Sequence, residues 1–174
     1  CFDITANPVT KVKKIKQFER ALTRFLTAEE LRVVWDACVE HMNPVYASLL
    51  KVMICTGFHA TELIRLTIND VQHEDKAIYM IKTKSEIPNL IPLNRFAWQE
   101  IQTRIAETDS SELLFPTRVS NPKGDIYVRA SVLANQVADL RPHLSIEHFT
   151  SRDFRRTVKT LMGKAGISKE MRDR

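Results

Sequence analysis

Long apolar runs are missing from this sequence. The most apolar stretch, residues 45–55, is interrupted by Ser48 and Lys51, well short of the roughly 20 consecutive apolar residues that a membrane-crossing helix needs. Cysteine is scarce too. Cys1, Cys38 and Cys55 are odd in number, show no metal-ligand spacing, and read as free thiols of a reducing compartment, the last two on apolar helix faces. The five histidines are scattered, so no zinc or other metal site is expected. There is no internal repeat, no low-complexity tract, and no basic-then-apolar signal pattern in the first residues. What remains is an ordinary globular composition, 44% hydrophobic and 27% charged over 174 residues, enough for one good core and an appendage.

Charge is plentiful and unevenly placed. The net value is +5. Residues 1–26 carry six Lys/Arg against two acids, and residues 150–174 carry eight against three, so the stretch between them is net negative. Positive charge gathered in two segments is the distribution of a nucleic-acid footprint, and a helical interaction domain with basic tails shares it. Residues 1–26 lack a sustained apolar period. Pro8, Lys11, Lys13, Lys14 and Lys16 read as a basic linker with a helical stretch around residues 18–26.

From there the chain alternates helical stripes with turn signals. Thr27-Ala28-Glu29-Glu30 is a capping box, and Leu31, Val34, Trp35, Cys38 and Met42 continue a helical face. Asn43-Pro44 opens a second helix with almost no polar face, which predicts a central, buried position, and Gly57 ends it. Residues 77–81 and 90–93 read as the two strands of a hairpin joined by residues 82–89. Phe96, Ala97, Ile101 and Ile105 mark another helix. Leu113-Leu114-Phe115-Pro116 forms a short apolar plug, residues 117–125 a loop, and residues 128–140 a further amphipathic helix. The expected fold is mainly α with a small antiparallel β-hairpin, an α+β domain.

The most informative stretch is residues 150–162. At 3.6 residues per turn, Phe154, Val158, Leu161, Met162 and Ala165 form one apolar stripe, with Arg152, Arg155, Arg156 and Lys159 on the other side. Arg155 lies nearest the border, where the core can hold its stem while the planar guanidinium forks onto phosphate oxygens. A solvated basic face would carry the same spacing.

Arg152-Asp153-Phe154-Arg155-Arg156-Thr157, followed by Gly166-Ile167-Ser168, resembles the second active-site box of the tyrosine recombinases, the phage-integrase family. Thr56-Gly57-Phe58-His59-Ala60-Thr61-Glu62-Leu63, then Ile68-Asn69-Asp70-Val71, resembles that family's first box, with His59 where the family has its first catalytic arginine. The resemblance implies a DNA-cleaving and rejoining catalytic domain over residues 27–174. Residues 1–26 would then be a linker after a preceding DNA-binding domain, into which Asn7-Pro8 fits. Candidate catalytic residues are Arg155, Arg152 in place of the family's usual histidine, His59, and Lys84 on the hairpin turn, with Lys82 as second choice. Glu62 matches the family's supporting glutamate. Lys11, Lys13, Lys14, Lys16, Arg156 and Lys159 are candidate DNA contacts. Read without the resemblance, His59 is a capping or surface histidine, Glu62 a first-turn acid and Lys84 a solvated lysine. The family's third box, with its nucleophilic tyrosine, has no counterpart: Tyr46, Tyr79 and Tyr127 all precede Arg155. No cofactor is implied. The implied partner is double-stranded DNA, with self-association on it and no membrane, in the cytoplasm of a bacterial or phage-type system. A non-cleaving DNA-binding relative is the alternative that His59 and the missing tyrosine favour.

Overall fold

The computed structural model describes residues 24–80, 89–108, 112–116 and 128–173. Helix α1 (Ala28–His41) begins as its sequence predicts. Thr27 Oγ1 accepts the Glu30 N–H at 3.2 Å, and Glu30 Oε2 accepts the Thr27 N–H at 2.9 Å. Just before it, residues 24–26 are not helical, unlike the expectation for that stretch. Leu26 is buried, and its N–H donates to Thr157 Oγ1 at 2.8 Å, while Arg24 pairs with Glu30 and Glu147. A long-range bond to a distant helix fixes this backbone, which a local period does not reveal.

Helix α2 (Pro44–Thr56) is the centre of the molecule. Asn43 Oδ1 accepts the Val45 N–H, and Ala47, Ser48, Leu49, Leu50, Val52 and Met53 are all buried. It packs against α1, α4 (Arg95–Glu107) and α6 (Ser151–Lys164). Its one charged side chain in this stretch, Lys51, is matched by Glu100 of α4 at 2.9 Å, and Ser48 Oγ donates to the other oxygen of the same carboxylate. Burial without an unpaired polar group is thereby preserved.

After α2 come the short helix α3 (Ala60–Leu63), a 3-10 turn (Ile68–Asp70) and a sheet of three antiparallel strands, β1 (Val71–Gln72), β2 (Ala77–Met80) and β3 (Asn89–Pro92) in that order. The predicted hairpin is present, with Ile78 opposite Ile91 and Tyr79 opposite Leu90. β1 is an addition: two residues are too few to show an alternating pattern, and the tight turn through Lys76, at φ +47°, brings them back onto β2. The apolar plug closes this side. Leu114 and Phe115 are fully buried, the Leu114 N–H donates to Leu66 O, and the buried Arg104 of α4 donates through Nε to Leu114 O.

Helix α5 (Ala130–Leu140), a 3-10 turn (Arg141–His143), α6 and α7 (Lys169–Asp173) complete the order. In α6 the buried face is Asp153, Phe154, Thr157 and Val158, not the full expected stripe: Leu161 is 41% exposed and Ala165 is exposed. Two polar residues can take core positions because they bond locally. Thr157 Oγ1–H donates to Asp153 O at 2.7 Å while accepting from Leu26. Beyond Val158 the helix leaves the core and is met instead by α7, whose Arg172 donates to Lys159 O.

Val158 also packs closely against the end of α2. Gly57 ends α2 at φ +71°, and a Cβ there would lie 2.9 Å from Val158 Cγ1. Gly57→Ala should therefore cost about 1–3 kcal/mol in urea unfolding, from the left-handed backbone and the collision together. Cys38 is buried and Cys55 half-buried, both are free thiols, and burial pushes each up to about 11. In a Cys1→Ser protein, both should alkylate with iodoacetamide at about pH 9 roughly fifty-fold more slowly than in the urea-unfolded chain, because so little thiolate is present.

Candidate active site

Two segments far apart in sequence meet beside Gly57. The turn after α2 carries Phe58 and His59 forward to the start of α3. The first turns of α6 lie across from it. Between them is a cleft of about 280 Å³, lined by Met53, Phe58, His59 and Ala60 on one side and by Ser151, Arg152, Arg155, Arg156 and Lys159 on the other. Four of the candidate residues on α6 and the candidate histidine thus share one cavity.

Each side is set by a cap. His59 is the N-cap of α3: its Nδ1 lies 3.0 Å from Thr61 Oγ1, and its backbone N–H donates to Glu62 Oε2 at 2.6 Å. The capping and first-turn roles expected of His59 and Glu62 are both real. Glu62 does more, because the same Oε2 also faces Arg155 Nη1 at 3.3 Å. One carboxylate oxygen therefore ties the backbone of one box to the guanidinium of the other. With the two side chains 30% and 36% exposed, the pair orients Arg155 without contributing much stability. Only one of arginine's five donors is taken up by it.

On α6, Asp153 Oδ2 accepts both the Thr150 N–H and the Thr150 hydroxyl at 2.8 Å. Its Oδ1 holds Arg156 Nη1 at 2.5 Å. The Asp153 carboxylate is almost fully buried, so Arg156 is held by a group inside the fold while its own side chain reaches the cleft. Sequence reasoning passed over this anchor, although Thr150-x-x-Asp153 has capping spacing and was legible. Arg152 is exposed and makes no ion pair among the described residues.

Lys84, the second-choice Lys82, and Lys11, Lys13, Lys14 and Lys16 lie outside the described residues. Tyr46 is half-buried on α2 and Tyr79 stands on β2; neither lines the cleft, and Tyr127 lies outside the described residues. Among the described residues no three His, Cys, Asp or Glu converge to hold a metal ion, and no helix is long and apolar enough to cross a membrane. Chemically, the cleft offers guanidinium forks and one imidazole to an anion with several oxygens.

The two acids should differ when removed. Asp153→Ala should cost about 1–3 kcal/mol, since the half-buried Thr150 donors and Arg156 lose an acceptor that sits inside the fold. Glu62→Gln keeps an acceptor for the His59 N–H and should cost under about 1 kcal/mol. Paired urea titrations of the two variants check the order.

Comparison with known proteins gives a consistent picture. The model of the phage integrase family matches residues 24–171. The chain is 22% identical over 129 residues to a probable integrase/recombinase of Acholeplasma phage L2, covering 71% of this chain and 41% of that protein. It is similar in fold to the Tn1549 transposon integrase in complex with transposon right end DNA, with a TM-score of 0.73 at 15% identity, covering 88% of this chain and 57% of that one. It is also similar to XerA recombinase (TM-score 0.67, 17% identity, 85% of this chain and 53% of that one). A lambda integrase tetramer bound to a Holliday junction matches with a TM-score of 0.63 at 17% identity, over 86% of this chain and 45% of that one. The chain thus spans from under half to just over half the length of these proteins.

Proposed function

The chain belongs to the phage integrase family, and from that membership we propose that its cleft receives a DNA phosphodiester during strand cleavage and rejoining by a site-specific recombinase. The observation that carries this reading is the convergence of His59 with Arg152, Arg155, Arg156 and Lys159 on one cavity from two distant segments. A lone basic helix face would need no such partner wall.

In this reading a tyrosine hydroxyl gives up its proton to solvent and attacks the phosphorus. The bond from phosphorus to the 5′-oxygen breaks, a 3′-phosphotyrosine forms, and the 5′-oxygen leaves with a proton from a general acid. Arg155 and Arg152 hold the non-bridging oxygens as negative charge builds on them. Lys84, in the sequence between β2 and β3, is the group we assign as proton donor to the leaving oxygen. His59 takes the place of a first arginine and gives the phosphate one donor where an arginine gives a fork. Arg156 and Lys159, with Lys11, Lys13, Lys14 and Lys16 of the basic segment, bind flanking phosphates. Residues 1–26 are the linker from a DNA-binding domain, and the protein self-associates on DNA at the nucleoid. The attacking tyrosine is none of Tyr46, Tyr79 and Tyr127.

Duplex binding by this chain should fall steeply with salt, each neutralised phosphate adding roughly −0.9 to the log–log slope. Arg152→Ala and Arg156→Ala should each flatten that slope by about one phosphate, and His59→Arg should steepen it. Fluorescence anisotropy over a salt series measures all of them; binding indifferent to salt would sink the reading. With a nicked duplex, the 174 residues alone should leave no covalent adduct on a denaturing gel.

A further inference from the structure

Two groups of Thr61 face one ring nitrogen of His59. Its Nδ1 lies 3.0 Å from Thr61 Oγ1, and the Thr61 backbone N–H also points at it, at 3.5 Å. A backbone N–H can only donate. An Nδ1 that carried its own proton would turn that proton toward this N–H, so the contact favours Nδ1 as the acceptor. The Thr61 hydroxyl, nearer and able to rotate, then donates to it as well. At 3.5 Å the N–H only tips the balance between the two tautomers, and the hydroxyl bond at 3.0 Å is what holds the ring once Nδ1 accepts. In a neutral imidazole with Nδ1 accepting, the single proton sits on Nε2. His59 lines the cleft together with Arg155, and among the described residues its Nε2 has no partner.

We propose that Thr61 is a positioning residue that locks His59 as the Nε2–H tautomer, so that a neutral imidazole offers the cleft one fixed hydrogen-bond donor for a phosphoryl oxygen. The donor half of this proposal rests on the reading of the cleft as a phosphodiester site; the tautomer half does not. The consequence is specific to this chain. An arginine at this place would need no neighbour to decide its protonation, because every one of its polar hydrogens is a donor. A histidine in the opposite tautomer would present a lone pair to the phosphate and repel it. With histidine at position 59, the residue two places on therefore decides whether the position attracts or repels an anion.

The test is the ring nitrogen pattern of His59 in the 15N-labelled protein, recorded by long-range proton–nitrogen correlation in mildly alkaline buffer. The wild type should show the Nε2–H pattern alone. Thr61→Ser, which keeps the hydroxyl, should leave it unchanged. Thr61→Val, which keeps the shape and loses the donor, should give a mixture with a clear Nδ1–H share while the amide spectrum of the core stays in place. A wild-type ring protonated on Nδ1, or a Thr61→Val ring identical to the wild type, would overturn the proposal. Adding a short duplex should then move the Nε2 resonance in the wild type. If the tautomer behaves as expected in all three proteins and duplex leaves Nε2 unmoved, the donor half and the phosphate reading of the cleft fall, and the positioning role of Thr61 stands.

Discussion

Everything at the site depends on how closely α2 and α6 can approach at Gly57. The helix that fills the middle of the molecule has to stop there, turn through a left-handed residue and let Val158 press against the turn. Any side chain there would place its Cβ 2.9 Å from Val158 Cγ1, so the two segments would have to shift apart. Because there is none, the chain leaving α2 passes directly over the first turns of α6, and His59 arrives beside Arg155. The glycine ends a helix and also permits the close contact with Val158.

On that frame the acids divide the arginines into different kinds. Asp153 is buried and holds Arg156 from inside the fold, so that guanidinium is part of the structure before anything binds. Glu62 is part-exposed and holds Arg155 more loosely, at 3.3 Å, while also accepting the His59 N–H. In high-dielectric surroundings that pair is worth little, and an incoming phosphate with two charge-assisted bonds can compete for the same guanidinium. Arg152 stands exposed with no ion pair among the described residues. The cleft therefore ranges from a fixed cation to an open one, and Arg155, the candidate nearest the core border, is oriented but not consumed.

The sequence was most readable where local chemistry decides the outcome. The Thr27–Glu30 box, the Asn43-Pro44 entry, the glycine stop at Gly57 and the apolar girth of α2 are all settled by neighbours within one turn, and each stands as its residues predict. It was least readable where a partner from elsewhere decides. Leu26 is buried because Thr157, over a hundred residues away, accepts its N–H. Leu161 stays exposed because the core ends at Val158, although the helical period would have buried both. β1 exists because a tight turn returns two residues to β2, and two residues carry no period of their own.

By itself the sequence determined the element types, the central helix, the basic face of α6, and the two boxes whose residues identify the family. The tertiary structure alone decided that the boxes share a cleft, since nothing local to residues 56–63 refers to residues 150–159. It also decided which atoms meet: that Glu62 bridges His59 and Arg155, and that Asp153 reaches back from the core to hold Arg156. The physical reason is range. Caps, turns and amphipathic periods act within a few residues, whereas ion pairs and close backbone approaches depend on distances that exist only after α2 and α6 have packed.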